Sequence, residues 1–487
     1  MTRRALAVLA LCAAGCARSA ASAPSEPHDA PSPPSPAAPP PASSPVATAN
    51  TKPPAPLAAS PPVEPAPELD AVGKREVAST TGLVVSVETE ATRAGVRALE
   101  AGGNAVDAAV TVAFVLAVTH PSAGNIGGGG FMLVRPKGGP TTAIDFRETA
   151  PARLTRAAFD AMIEKDGIGA VAVGVPGSVR GLALAHERFG KLPWADVVRP
   201  ARKLAEKGHV VGEREGKTFA WSWGYLKKDR GALAEFGPNQ PKTGDRLRRP
   251  GLAKTLSRIE KNGAAGFYEG PTANAIVTAL DKGGSPMTPD DLASYRAKER
   301  EPLRFTYRGF ELETMPPPSA GGVALMEILR QLERVGAWRA PAGSADDLHL
   351  FLEASRRAQV DKRFRIVDPD SLSSEELARR LESFADVGRL LEHGIDPKKA
   401  TPSSELHPLY GAAMRELEHT THFSVLDADG MAVSCTTTLS AGFGAKLVVP
   451  GTGIVTNNAV ASFATAGENL PVGGRRTVSS MAPTLVT

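Results

Sequence analysis

The chain has 487 residues and a mass of 50.7 kDa; 42% of it is hydrophobic, 22% charged and only 5% aromatic. Those fractions exclude a wholly disordered protein, and the length accommodates about three domains or one large enzyme body. Lys and Arg number 56 against 52 Asp and Glu, a net charge of +4 that is too small a bias for a nucleic-acid partner. Three cysteines, Cys12, Cys16 and Cys435, build neither a disulfide framework nor a four-cysteine zinc site.

The first segment reads as an address. A basic start, Met1-Thr-Arg-Arg4, precedes an apolar run over residues 5–14 that is too short to span a bilayer as a helix. The run ends in Ala13-Ala14-Gly15-Cys16, which resembles the lipobox of bacterial lipoproteins, so Cys16 is expected to carry the lipid; an ordinary signal peptide is the alternative. Residues 17–70 are rich in Pro, Ala and Ser. Positions 21–70 hold 17 of the 42 prolines, which predicts an extended, solvated linker, and the globular body is expected from residue 71.

Within the body, residues 81–87 have strand composition and residues 92–101 helix spacing that stops at Gly102-Gly103. Asn104 is placed to cap a helix over 105–118, apolar almost all round and therefore buried. Thr119-His-Pro-Ser-Ala-Gly-Asn-Ile follows, with four glycines at 127–130. They lack the Lys-Ser/Thr of a phosphate loop, which leaves close backbone packing or amides offered to a ligand. A strand over 141–148 ends in Arg147-Glu148; Arg147 either clamps a carboxylate in bidentate fashion or pairs with Glu148. Further helices are expected after Gly177, over 323–335 behind Met315-Pro-Pro-Pro-Ser, and over 348–365.

Near the C-terminus, Thr420-Thr-His-Phe-Ser-Val-Leu426 and Met431-Ala-Val-Ser-Cys-Thr-Thr-Thr438 flank Asp427-Ala-Asp-Gly430, the composition of a hairpin. His419 and His422 lie three apart without a third ligand in view, so a metal is not predicted. A Gly-x-Ser-x-Gly elbow is absent, which removes the support for an α/β-hydrolase serine.

Taken together, these segments resemble the γ-glutamyltransferase (glutathione hydrolase) family of N-terminal-nucleophile hydrolases. The likeness runs over residues 81–487 and is strongest at 102–109, 119–132, 145–148, 420–424 and 479–481. It implies an α+β fold, a four-layer αββα sandwich, made from a large-subunit region (71–419) and a small-subunit region (420–487) that stay associated. It implies self-cleavage between His419 and Thr420. The freed amine of Thr420 then relays the proton of its own hydroxyl, so one residue is nucleophile and base. The acyl-enzyme formed from a γ-glutamyl donor such as glutathione passes to water or to an amino acid or peptide.

By the same resemblance Thr438 supports the nucleophile, and Arg147, Ser479 and Ser480 hold the donor carboxylate; no metal or organic cofactor is implied. Where the family surrounds the donor ammonium with Asn, Gln/Glu and Asp, this chain has Ser440, Ala459 and Ser462. That makes a glutaryl group, as taken by the related cephalosporin acylases, an alternative donor. The short connection over 464–474 implies an open pocket. The region 420–487 is shorter than its counterpart in the family and lacks the glycine pair of the oxyanion hole. The chain is therefore expected to be a fragment of a longer reading frame, with an uncleaved, membrane-tethered carboxylate-binding protein as the rival. The implied location is exported, lipid-anchored on a bacterial membrane, facing the periplasm or outside.

Overall fold

Strand β1 (Gly82–Val85) leads into helix α1 (Thr89–Glu100) and then helix α2 (Ala105–Thr119). Asn104 starts α2 as its spacing predicts: its side chain accepts from the N–H groups of Val106 and Asp107 at 3.0 and 3.1 Å. The Asp107 carboxylate in turn accepts from Asn104 N–H at 2.9 Å. This reciprocal cap satisfies donors that the first helical turn leaves unpaired. Every residue of α2 is buried, which its apolar circumference requires.

The elements that follow are β2 (Gly129–Arg135), β3 (Thr142–Asp145), α3 (Ser178–Phe189), α4 (Trp194–Lys207), α5 (Glu213–Leu226) and α6 (Pro250–Asn262). Then come β4 (Lys298–Arg300), β5 (Leu303–Tyr307), β6 (Phe310–Thr314), α7 (Ala320–Arg334) and α8 (Ala345–Phe364). The hairpin β7 (Thr420–Asp427) and β8 (Ala432–Thr438) and the short β9 (Thr484–Val486) close the set. This computed structural model describes residues 79–392, 394–408 and 419–487, within a unit running from Val72 to Thr487. Cys16, the apolar leader and the proline-rich stretch lie outside the described residues. Among the described residues no helix is long and apolar enough to cross a membrane.

Six antiparallel strands form one sheet in the order β1-β7-β8-β2-β3-β4, and β9-β6-β5 form a second. Strand β2 explains how the layers stack. Its Met132 and Val134 join the core built on α2, whereas Phe131 and Leu133 meet Met315, Met481 and Leu485 from the second sheet's side. A strand buried on both faces reads as a continuous apolar run, as β2 does. Helix α2 covers the first sheet and packs on α4, and α7 covers β5 of the second. The protein is an α+β sandwich with helices outside two facing sheets.

Several boundaries differ from those read off the sequence: α1 starts at Thr89 rather than 92 and β1 covers Gly82–Val85 rather than 81–87, and three others have a side-chain cause. Strand β3 stops at Asp145 rather than running to Glu148, because the Asp145 carboxylate accepts from Arg147 N–H at 2.9 Å and turns the chain out of the sheet. Helix α7 begins three residues earlier than its apolar pattern, since Ser319 caps it through Gly322 N–H at 3.0 Å. Helix α8 likewise starts at Ala345, capped by Ser344 onto Asp347 N–H at 3.2 Å.

Asp107 also receives the N–H groups of Lys191 and Leu192 at 3.0 to 3.2 Å, tying the cap of α2 to the loop after α3. Replacing Asp107 with Ala strands several buried donors and is expected to cost about 3 kcal/mol in a urea titration.

Candidate active site

The register of one hairpin assembles the centre. Thr420 opens β7 and lies directly opposite Thr438, the last residue of β8. Thr420 Oγ1 donates to Thr438 Oγ1 over a long 3.3 Å. The Thr438 hydroxyl donates to the carbonyl oxygen of His419 at 2.9 Å and accepts from Ser440 N–H at 2.9 Å. One hydroxyl therefore touches both the Thr420 oxygen and the peptide carbonyl just before it. Thr420 is exposed, because alternate residues of β7 point away from the core.

The backbone here is strained. His419 has φ +117°, and Ser440, Phe443 and Lys446 have φ +73°, +56° and +63°. These are four of the six non-glycine residues with positive φ among the described residues. Such conformations cost of order 1–3 kcal/mol each and persist only where surrounding contacts hold them. Asn125 and Asn458 hold the end of β8 and the loop after it, and Asn457 ties the glycine run to Gly174. Asn125 Nδ2 donates to the Thr438 carbonyl at 2.9 Å, and its Oδ1 accepts from Gly128 N–H at 2.8 Å. Asn457 bonds the carbonyls of Gly127 and Gly174, both at 2.8 Å, and Asn458 accepts from Ala441 N–H at 2.9 Å.

The four glycines serve close packing: a Cβ on Gly128 would lie 2.2 Å from the Thr438 carbonyl oxygen, and one on Gly129 2.4 Å from Glu148 Oε2. Of the two readings of that run, backbone approach is the one seen. Lys446 Nζ donates to the Gly442 carbonyl, and burial pulls its ammonium down to about 8.

Arg147 is buried at 2% exposure, and its pairing with Glu148 is real: Nη1 to Glu148 Oε2 is 2.8 Å. The same guanidinium reaches Ser440 Oγ at 3.3 Å, Ser462 Oγ at 3.4 Å and the Thr477 carbonyl at 3.3 Å. Burial pushes Glu148 above the ordinary carboxylate range, against the pull of Arg147. Through Ser440 the Arg147 cluster is continuous with Thr438. Ala459 is fully buried beside it, its N–H on Asn457 Oδ1 at 2.9 Å.

Ser479 and Ser480 are placed differently. Ser479 bonds Pro318 and Ala320 through its backbone at 3.1 and 2.7 Å, its Oγ accepts from Met481 N–H, and Ser480 is exposed. His422 turns both ring nitrogens to hydroxyls, Thr436 at 2.8 Å and Ser424 at 3.0 Å. Sequence reasoning missed Asn125, Asn457 and Asn458, whose one signal is a buried asparagine among apolar neighbours. It also missed Trp221, whose ring meets that of His419 edge-on at 5.8 Å.

A second polar cluster lies behind His419. His120 is 3.7 Å from Glu88, and His209 bonds Glu215 at 2.9 Å. Burial, and next the Glu215 carboxylate, push Glu88 up to about 7 against Arg214 and His209; burial holds His120 down at about 4.

The layered fold, with a threonine hydroxyl set against the peptide bond that precedes it, defines an N-terminal-nucleophile hydrolase. The profile of the gamma-glutamyltranspeptidase family matches residues 91–487. The chain is 41% identical to the glutathione hydrolase proenzyme of Escherichia coli (strain K12) over 433 residues, 84% of this chain and 73% of that one. It is 35% identical to the acylase ACY 1 proenzyme of Pseudomonas sp. (strain SE83), covering 84% and 75%. Among solved structures, cephalosporin acylase from Bacillus halodurans matches with a TM-score of 0.72 at 28% identity, over 88% of this chain and 78% of that one. Helicobacter pylori gamma-glutamyltranspeptidase matches with a TM-score of 0.64 at 34% identity, over 71% and 100%. The chain belongs to the gamma-glutamyltranspeptidase family.

The Glu88 cluster yields a pH test. The folded state keeps the Glu88 proton up to about pH 7, whereas the unfolded chain releases it near 4.5, so this stabilisation is complete below 4.5 and is lost as pH rises through 7. Glu88→Gln stays neutral throughout. Its urea midpoint is expected to gain on the wild type between pH 4.5 and pH 7, with the gap constant above pH 8.

Proposed function

We propose that this protein is a self-processing γ-glutamyl acyltransferase and hydrolase in which Thr420 is the nucleophile and His419–Thr420 the bond cleaved. The observation that carries the reading is the shared hydroxyl of Thr438, 3.3 Å from Thr420 Oγ1 and 2.9 Å from the His419 carbonyl oxygen. Attack by Thr420 Oγ1 on the His419 carbonyl forms an ester and breaks the peptide C–N bond, and the hydroxyl proton ends on the released amine. Water then cleaves the ester, leaving a His419 carboxylate and a Thr420 that carries both hydroxyl and α-amine.

In turnover that amine takes the hydroxyl proton during attack on the donor amide and returns it to the departing amine. Water or an incoming amine then takes the acyl group. The proposal divides the chain into residues 71–419 and 420–487, with residues 1–16 as a lipoprotein-type signal, 17–70 as a tether and Cys16 as the lipid attachment point. It places the enzyme on the outer or periplasmic face of a bacterial membrane. The proenzyme names of the relatives support the processing step.

Arg147 is proposed to hold the donor carboxylate, with Ser440 and Ser462 beside its guanidinium and Ser479 and Ser480 completing the pocket. The same cluster favours a second donor class. The hydroxyls of Ser440 and Ser462 and the methyl of Ala459 bring no negative charge to an ammonium, and the Glu148 oxygen that faces Arg147 is already paired. A glutaryl amide, which has the carboxylate and lacks the amine, then loses little.

Two outcomes are expected. Purified protein runs as two bands on a denaturing gel, the smaller with Thr420 at its N-terminus, while Thr420→Ala stays one chain and loses at least about 10³-fold in activity. With anilide substrates, kcat/KM for the glutaryl compound is expected within about tenfold of the γ-glutamyl compound, because the charge-assisted contact to the ammonium that would favour the latter by about 10- to 150-fold (about 1.5–3 kcal/mol) has no acidic partner at Ser440, Ala459 or Ser462. A preference above 10³ for γ-glutamyl removes the second donor class.

A further inference from the structure

Trp221 leaves 76% of its surface in water, more than any other large apolar side chain among the described residues. Core packing therefore does not account for it. Its neighbours on α5 do the packing: Phe219 is fully buried and its ring lies 5.0 Å from that of Phe443, tilted by 43°, in the strained loop after β8. Glu215, one turn earlier, is buried against His209. These contacts fix α5 to the active-site loop and carry the Trp221 indole to one place, edge-on against the His419 imidazole at 5.8 Å and 87°. Gly442 bounds the same imidazole elsewhere, since a Cβ there would come within 2.7 Å of His419 Cδ2 and 3.0 Å of Nε2. The ring thus rests on an indole and on a bare stretch of backbone.

We propose that Trp221 and Gly442 form a seat for the His419 side chain, which holds the His419 carbonyl against Thr438 and so speeds the self-cleavage. This rests on the reading of His419–Thr420 as the cleaved bond. Trp221 is a positioning residue: it touches neither Thr420 nor the carbonyl, and acts through the imidazole. The backbone at His419 is anchored at its carbonyl by one hydrogen bond from Thr438. With the imidazole seated, rotation about ψ of His419, the torsion that sets the direction of the carbonyl relative to Cβ, would carry that oxygen off Thr438, and the seat resists it. Attack by Thr420 makes the carbonyl carbon tetrahedral and frees the peptide from planarity, so a conformation held in the precursor is released along the reaction. Once the bond is cut, the new His419 carboxylate is no longer tied to Thr420.

The test follows precursor disappearance in the full-length protein, by gel and mass spectrometry, for the wild type, Trp221→Ala, Trp221→Phe, His419→Ala and the double variant Trp221→Ala/His419→Ala. Trp221→Ala is expected to process 10- to 100-fold more slowly, and Trp221→Phe, which keeps an aromatic edge, within about threefold of wild type. His419→Ala removes the ring, and adding Trp221→Ala to it is expected to slow processing no further. Melting curves in a Thr420→Ala background, where no cleavage intervenes, are expected to be the same with Trp or Ala at 221. Wild-type splitting with Trp221→Ala at the same rate, or full additivity in the double variant, overturns the seat alone. A wild-type chain that stays whole overturns the cleavage reading itself, and the seat with it.

Discussion

The hydrogen bond from Thr438 to the His419 carbonyl depends on hairpin register, and the rest of the site depends on that bond. Cross-strand pairing sets Thr420 opposite Thr438. A slip of one strand by one residue would put the two hydroxyls on opposite faces of the sheet, because strand side chains alternate with a period of two. The register is secured at both ends. At the turn, Asp427 accepts from Met431 N–H at 2.9 Å and from Ala105 N–H, at the start of α2, at 2.9 Å. At the open end, Asn125 holds the Thr438 carbonyl, and the glycine run lets the neighbouring strand approach without side chains between.

The polar groups near the nucleophile form one chain of contacts rather than separate sites. Thr420 meets Thr438, Thr438 meets Ser440, and Ser440 meets Arg147, which spans Glu148, Ser462 and Thr477. The buried Arg147–Glu148 pair is nearly neutral as a unit, and a desolvated pair of this kind is costly to break from one side. The hydroxyls of Ser440 and Ser462 lie at the rim of that pair and bring no charge to it.

Much of the fold was legible in the sequence. The buried helix behind Asn104 showed in its apolar circumference and cap, and the hairpin in alternation about Asp-Ala-Asp-Gly. Element ends were less legible, since Ser319, Ser344 and Asp145 act through side-chain bonds to the backbone that apolar periodicity does not encode. The candidate site was legible where motif and geometry coincide, at Thr420, Thr438, Arg147, Ser440 and Ser462. Ser479 and Ser480 stand near Arg147 in the chain only through Thr477, and the hydrogen bonds of Ser479 go to the segment before α7.

The primary structure by itself determined the elements, the family motifs and the identity of the hydroxyls, because periodicity, capping residues and short motifs are local properties of a chain. Only the tertiary structure decided that Arg147 is paired with Glu148, that Asn125 and Asn458 hold the end of β8 and the loop after it, and that Trp221 meets His419 across nearly two hundred positions. The last contact arises when α5 docks through Phe219, and docking is a consequence of packing whole layers together.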